Sequence, residues 1–196
     1  MKKDIDSLFR PTYKICVSGA SETGHCSKDA LEQAAELGRE IAKKGIILLT
    51  GATPGIPYWA AKGAKEEGGV VIGFSPASSK MEHVKKYKLP LDFHNIIIYT
   101  GFNYSGRNLI LNRSADGIIF TCGRMGTLNE FTIGFEDKKP LAVLEGSGGT
   151  SDMIRKILEN AHKGMGKTIF SKDPVKLVDG IISQIKKDEK RNHTEN

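Results

Sequence analysis

Six short apolar runs, rich in β-branched residues, constrain this 196-residue chain most. They lie at Lys14–Ser18, Ile46–Thr50, Val70–Phe74, Ile96–Thr100, Gly117–Thr121 and Leu141–Glu145, and each ends in Gly-, Thr- or Ser-containing sequence. Continuous apolar runs of this length suit strands covered on both faces, as in a parallel sheet. Helical patterns stand between them. The clearest is Ser27 to Lys44, where Ala30, Leu31, Ala34, Leu37, Ile41 and Ala42 form one apolar stripe. Ser27 is placed as its N-cap and Gly45 as a left-handed stop. Weaker patterns cover Pro57–Glu67, Tyr104–Arg113, Leu128–Asp137, Ser151–Lys163 and Pro174–Lys187. Strand–helix alternation predicts right-handed crossovers and an α/β fold, a doubly wound parallel sheet with helices on both faces. The polar stretch Pro76–Pro90 reads as a surface loop or short helix over one edge.

Composition narrows the class. With 39% hydrophobic and 27% charged residues the chain is globular, and it is long enough to bury a core without disulfides. One domain is expected over residues 14–185, between an N-terminal extension (1–13) and a flexible polar tail (186–196). No apolar run approaches the roughly 20 residues that cross a bilayer. Met1 to Lys14 lacks a signal-peptide core, so a cytoplasmic location is expected. The net charge of +6 concentrates at Lys85–Lys88 and in the tail from Lys186. Both read as solvated surface, and a nucleic-acid groove would need more clustered Arg and aromatic residues. Cys16, Cys26 and Cys122 show no C-x-x-C spacing, so neither a redox dithiol nor a zinc ribbon is expected. The five His include no H-x-x-x-H pair, and the pattern requests no metal and no cofactor.

In sheets of this kind ligands sit beyond the C-terminal ends of the strands. Three Gly-rich turns fall there: Gly19-Ala20-Ser21-Glu22-Thr23-Gly24, Thr50-Gly51-Ala52-Thr53-Pro54-Gly55 and Gly123-Arg124-Met125-Gly126-Thr127. Glycines let backbone N–H groups approach an anion, and a following helix N-terminus favours negative charge. Three such turns at one edge point to a phosphate-bearing ligand. The first lacks G-x-G-x-x-G, which argues against a nicotinamide dehydrogenase. Gly166-Lys167-Thr168 resembles the end of a P-loop, but a strand-like Ile169-Phe170 follows where a helix is required.

The most informative stretch runs from Arg107 to Glu130. A helix carrying Arg107 leads into a strand, the strand ends in a Gly turn, and that turn opens a helix carrying Glu130. An arginine can hold phosphate or ribose oxygens bidentately, and a glutamate can accept a ribose hydroxyl or stabilise positive charge on the sugar. The stretch resembles the LOG family of phosphoribohydrolases, whose hallmark is P-G-G-x-G-T-x-x-E with an Arg upstream. Here it stands as Cys122-Gly123-Arg124-Met125-Gly126-Thr127-Leu128-Asn129-Glu130, with Arg107 upstream and Asp116 before the strand. The resemblance implies a Rossmann-like fold, usually a homodimer. It further implies hydrolysis of the N-glycosidic bond of a nucleoside 5′-monophosphate to base and ribose 5-phosphate, without cofactor. It assigns catalysis to Arg107 and Glu130, the phosphate cradle to Gly123, Gly126 and Thr127, and part of the nucleotide pocket to Gly51, Thr53 and Gly55. Gly19, Ser21 and Arg124 join the nucleotide-binding set from the turns themselves.

Departures from the hallmark point to a second reading. Cys122 replaces the Pro and Arg124 the second Gly, and G-G-G has become Gly51-Ala52-Thr53. In this the chain resembles the wider superfamily that includes molybdenum-cofactor carriers and nucleotide sensors. The loop Gly146-Ser147-Gly148-Gly149-Thr150 resembles that branch too. It implies a non-catalytic carrier or sensor of a nucleotide or pterin phosphate.

Individual residues carry competing readings. Thr127-x-x-Glu130 has the form of a capping box, which would occupy Glu130. Arg124 is either an anion ligand or an exposed turn residue. Arg113 can pair with Asp116. Cys122 reads as a small buried residue, since no His lies beside it in sequence. Leu128, Phe131 and Phe135 read as core. Tyr58 and Trp59 could stack a base or meet a second subunit, and Thr53 could cap the next helix.

Overall fold

The computed structural model describes residues 13–194, so the N-terminal extension before Tyr13 and tail residues 195–196 lie outside the described residues. Seven parallel strands form one sheet in the order β4-β3-β2-β1-β5-β6-β7. Six occupy the predicted runs: β1 (Lys14–Ser18), β2 (Ile47–Thr50), β3 (Val71–Ser75), β4 (Ile96–Tyr99), β5 (Gly117–Phe120) and β6 (Leu141–Leu144). The seventh, β7 (Thr168–Ser171), adds an edge that only Ile169-Phe170 signals in the sequence.

Successive residues of a strand point to opposite faces, and both faces here are apolar. Ile15, Val17 and Ile119 enter one core with α1 (Ala30–Lys43), α2 (Ile56–Glu66) and α7 (Pro174–Thr194). Cys16, Ile118 and Phe120 enter the other with α4 (Asn103–Ser114), α5 (Met125–Glu136) and α6 (Ile154–Asn160). The short α3 (Lys80–Lys85) lies within the Pro76–Pro90 excursion, capped by the Ser79 side chain. This is the doubly wound, Rossmann-like arrangement. Burying each large strand side chain contributes about 1.5–3 kcal/mol, so the central β1–β5 pair is a rigid platform.

Helices α1 and α2 touch backbone to backbone. A Cβ on Gly38 would lie 2.0 Å from the Ala60 carbonyl oxygen, and one on Gly63 would lie 2.0 Å from that of Ala35. Gly45 ends α1 as expected, with φ of 68° and its N–H on the Ala42 carbonyl.

Several boundaries depart from expectation, each for a local reason. Ser27 does not cap α1, which starts at Ala30 after Asp29. The Ser27 N–H instead donates to the Ser147 carbonyl, because Cys26 is bridged to Gly148 and the segment serves that loop. Helix α5 starts at Met125, three residues before Leu128, so the Gly turn supplies its first turn. The pattern at Ser151–Lys163 divides into a 3-10 turn, Thr150–Met153, and α6. The basic tail from Lys186 is helical as far as Thr194. Arg113 pairs with Asp137 at 3.4 Å rather than with Asp116, which is taken by Lys14 at 2.8 Å. Among the described residues no helix is long and apolar enough to cross a membrane.

Candidate functional site

The chain reverses its direction of sheet growth at β1, which has β2 on one side and β5 on the other. The loops leaving β1 and β5 therefore diverge and leave a crevice, the usual ligand position in such sheets. A pocket of about 270 Å³ lies there. The β1 turn contributes Gly19, Ala20 and Ser21, and the β2 turn contributes Thr53. Helix α4 contributes Tyr104, Arg107 and Asn108, and the start of α5 contributes Arg124, Gly126, Thr127 and Glu130.

The opening of α5 is built by Thr127, whose Oγ1 accepts the Arg124 N–H at 3.4 Å. Thr127 is thus the capping partner and Glu130 is left free of that duty. Its Oε2 instead accepts a hydrogen bond from the Ser18 hydroxyl at the end of β1. The capping-box alternative for Glu130 is overturned. Glu130 is only 7% exposed. Burial pushes its carboxyl above the usual glutamate range, while the nearby Arg107 charge and the Ser18 bond oppose the rise.

Arg107 is 5% exposed. Its Nη1 donates to the Gly51 carbonyl and, at 3.0 Å, to the Phe74 carbonyl. Its Nε is buried without a hydrogen-bond partner among the described residues, and no carboxylate among them forms an ion pair with it. A buried guanidinium with a spare donor beside a pocket has the chemistry to meet an anion. Gly51 makes this possible, since a Cβ there would lie 2.1 Å from Nη1.

Arg124 does not plug the pocket. It is half-exposed and pairs with Glu22 at 2.6 Å, joining the β5 and β1 turns across the mouth. Exposed pairs of this kind are worth about 0–1 kcal/mol, so an incoming anion can displace Glu22.

Of the residues singled out in sequence, the fold brings Gly19, Ser21, Thr53, Arg107, Arg124, Gly126, Thr127 and Glu130 to one pocket. Gly51, Gly55 and Gly123 stand behind it. Gly55, at φ of 70°, lets the β2 turn lie against the β1 turn, where a Cβ would meet the Ala20 carbonyl at 2.4 Å. Gly123 packs against Thr127, and its carbonyl accepts the Thr150 N–H. Thr53 does not cap α2, whose N-cap is Gly55. Tyr58 packs edge-on to Phe93, and Trp59 lies under the Lys62 ammonium; neither lines the pocket. Sequence reasoning missed Tyr104, Asn108 and Ser18. The first two lie on the Arg107 face of α4 at helical spacing, a signal that was there to use.

The cysteines overturn expectation. Cys26 and Cys122 are joined in a disulfide across 96 positions, with Cα atoms 5.5 Å apart, and only Cys16 is free. A histidine does stand beside Cys122: His25 Nε2 lies 3.6 Å from its Sγ. Both are long-range consequences of the β1 turn folding over the end of β5. The Gly146–Thr150 loop buttresses the same turn. Gly146, Gly148 and Gly149 all have positive φ, and the Ser147 hydroxyl accepts the Cys122 N–H at 2.8 Å.

Another cavity, of about 450 Å³, lies at the opposite, N-terminal edge of the sheet. Three of its charged groups are already engaged: Asp116 with Lys14, Lys167 with Asp188, and Lys139 with the Ala115 carbonyl.

Gly126 has open space where a Cβ would be. Gly126→Ala is therefore expected to raise stability by up to about 1 kcal/mol through helix propensity. The same methyl would stand over the helix N-terminus and weaken anion binding. Denaturant unfolding together with phosphate-ligand titration checks both halves.

Comparison with known proteins agrees with this geometry. Residues 12–178 match the profile of the SLOG cluster4 family. An uncharacterized protein from Archaeoglobus fulgidus is 33% identical over 132 residues, 67% of this chain and 82% of that one. The solved molybdenum cofactor binding protein of Rippkaea orientalis is 28% identical with a TM-score of 0.72, covering 90% of this chain and 97% of that one. The Moco carrier protein of Chlamydomonas reinhardtii is also 28% identical with a TM-score of 0.72, covering 91% and 99%.

Proposed function

Because the chain belongs to the SLOG cluster4 family, we propose that its pocket binds a phosphate-bearing small molecule, a nucleotide or a pterin phosphate, and holds it as a carrier. The observation that carries this reading is the convergence of three groups. These are the α5 N-terminus with open space over Gly126, the loosely paired Arg124 and the spare donor of Arg107. Backbone N–H groups and the helix dipole hold the phosphate, and the arginines neutralise it. Tyr104, half-exposed at the pocket wall, offers a face for the ligand's ring. The likeness to the two molybdenum-cofactor proteins supports the pterin side of the reading.

A second reading, hydrolysis of a nucleoside 5′-monophosphate, is favoured by one observation. Glu130 is a buried carboxyl held by Ser18 and facing the pocket, beside the Arg107 charge. Once ionised, it could stabilise an oxocarbenium-like sugar or orient water.

The test is a ligand panel of nucleoside 5′-monophosphates and a pterin phosphate, read by thermal stabilisation and by chromatography for free base. The carrier reading expects stabilisation without free base. At a ligand concentration of 100 Kd the stabilisation is about 2.7 kcal/mol. Free base from the wild type and none from Glu130→Gln would establish the hydrolase instead. No stabilisation by any of these ligands and no free base would overturn both.

A further inference from the structure

On the far side of the Gly123–Thr127 turn from the pocket lies a second cluster with its own chemistry. His25, Cys26 and Cys122 bring an imidazole nitrogen and two sulfurs within 4.8 Å of one another. His25 is exposed, Cys26 half-buried and Cys122 buried. His25 lines an open cavity of about 720 Å³ whose rim carries Met125 and Met153, which are 74% and 56% exposed.

We propose that His25, Cys26 and Cys122 form a redox-gated zinc site: a disulfide when oxidised, and a three-ligand Zn²⁺ centre when reduced. The donor set fits the ion. Zn²⁺ binds thiolate sulfur at about 2.3 Å and imidazole nitrogen at about 2.0–2.1 Å in tetrahedral geometry. Two such ligands on one ion stand about 3.6 Å apart, and His25 Nε2 already lies 3.6 Å from Cys122 Sγ. The same geometry sets two thiolates on one ion about 3.8 Å apart. Side-chain rotation after the S–S bond opens can supply that separation, because Cys26 sits in a half-exposed loop. Three protein ligands leave a fourth position for water or an exogenous ligand.

The steps balance. A dithiol reductant transfers two electrons and two protons to the Cys26–Cys122 bond, giving two thiols and becoming a cyclic disulfide itself. Zn²⁺ then displaces both thiol protons, and two thiolates neutralise its charge. His25 must present Nε2 unprotonated, with its proton on Nδ1. Its present contact with the Gly123 carbonyl, at 3.2 Å, is then given up. That carbonyl keeps the Thr150 N–H at 2.9 Å, so it is not left unsatisfied. Reoxidation by a disulfide such as oxidised glutathione returns the two electrons to that oxidant and ejects the ion.

The experiment uses the full chain, as purified under oxidising conditions and after dithiothreitol reduction with the reductant removed anaerobically. Thiol titration in denaturant is expected to find one thiol, Cys16, before reduction and all three after it. Zn²⁺ competition against a chromophoric chelator is expected to show one ion per reduced chain and none on the oxidised chain. Co²⁺ as a stand-in is expected to give the visible bands of a tetrahedral, thiolate-ligated ion. Cys26→Ser and His25→Ala are expected to weaken Zn²⁺ binding by about 100-fold or more, a loss at least as large as a disturbed outer shell brings. Cys16→Ser is expected to leave it unchanged. Cys26 and His25 lie outside the sheet, so these variants read the site even if Cys122→Ser fails to fold. Three free thiols before reduction, or equal Zn²⁺ affinity in reduced wild type and Cys26→Ser, would overturn the proposal.

Discussion

Arg107→Ala is expected to lower stability by about 3 kcal/mol or more and to weaken phosphate-ligand binding by about 10–100-fold. The stability loss follows from what Nη1 holds. The carbonyls of Gly51 and Phe74 both take their bond from it in the interior. A buried polar group that loses its partner costs about 1–3 kcal/mol, and two would be orphaned at once. The binding loss follows from one charge-assisted hydrogen bond, worth about 1.5–3 kcal/mol. Arg107→Lys is expected to restore little of either, because an ammonium radiates its donors from one point and lacks the planar fork that holds both carbonyls from Nη1 while Nε stays spare. Denaturant unfolding and calorimetric titration, both run below the variant's own midpoint, separate the two effects. Wild-type affinity in a folded Arg107→Ala would remove Arg107 from the site.

Glu130→Gln is expected to move stability the other way. Burial holds the Glu130 carboxyl above the usual range, so the folded chain keeps a proton that the unfolded chain releases. In the window between the ordinary glutamate value and the raised one, the native state binds more protons. Stability therefore falls as pH rises through that window. Glutamine keeps an acceptor for the Ser18 hydroxyl and brings no charge to bury. The variant is expected to gain about 0.5–2 kcal/mol at neutral pH, the usual size of a stabilising replacement at a strained site. It is also expected to lose that part of the acid-range slope. Thermal melts of both proteins across the acid-to-neutral range check this. An unchanged profile would show that the carboxyl is not buried as a charge. A measured gain would be the cost at which the fold keeps Glu130, as expected of a group kept for its chemistry.

The sheet was legible because both faces of every central strand are apolar, so six runs such as Gly117–Thr121 stood out against polar helices. Strand β7 was not, because Thr168-Ile169-Phe170-Ser171 carries only two apolar residues, whereas the other edge strand, β4, keeps three Ile in a row. The pocket was legible where a turn residue and its pocket role share one local signal, as at Gly126 and Thr127. It was illegible where the role is set by distant backbone. Gly51 looked like a ligand glycine, yet it is small to admit the Arg107 guanidinium. Ser18 looked like a strand residue, yet its hydroxyl holds Glu130 from 112 positions away. Likewise Cys26 and Cys122 carry no spacing motif, and only the fold of the β1 turn over β5 joins them.

The backbone contact between α1 and α2 has a mechanical consequence. These helices begin just after the β1 and β2 turns, and the Ile56 N–H is bonded to the Ala20 carbonyl where the turns meet. A methyl group at Gly38 or Gly63 would act as a wedge between two levers that share this fulcrum. The first thing to shift would be the distance from Ser21 to Thr53 across the pocket. Affinity for the proposed ligand would then be tuned partly from outside the pocket, in the spacing of two helices that have no side chains to spare between them.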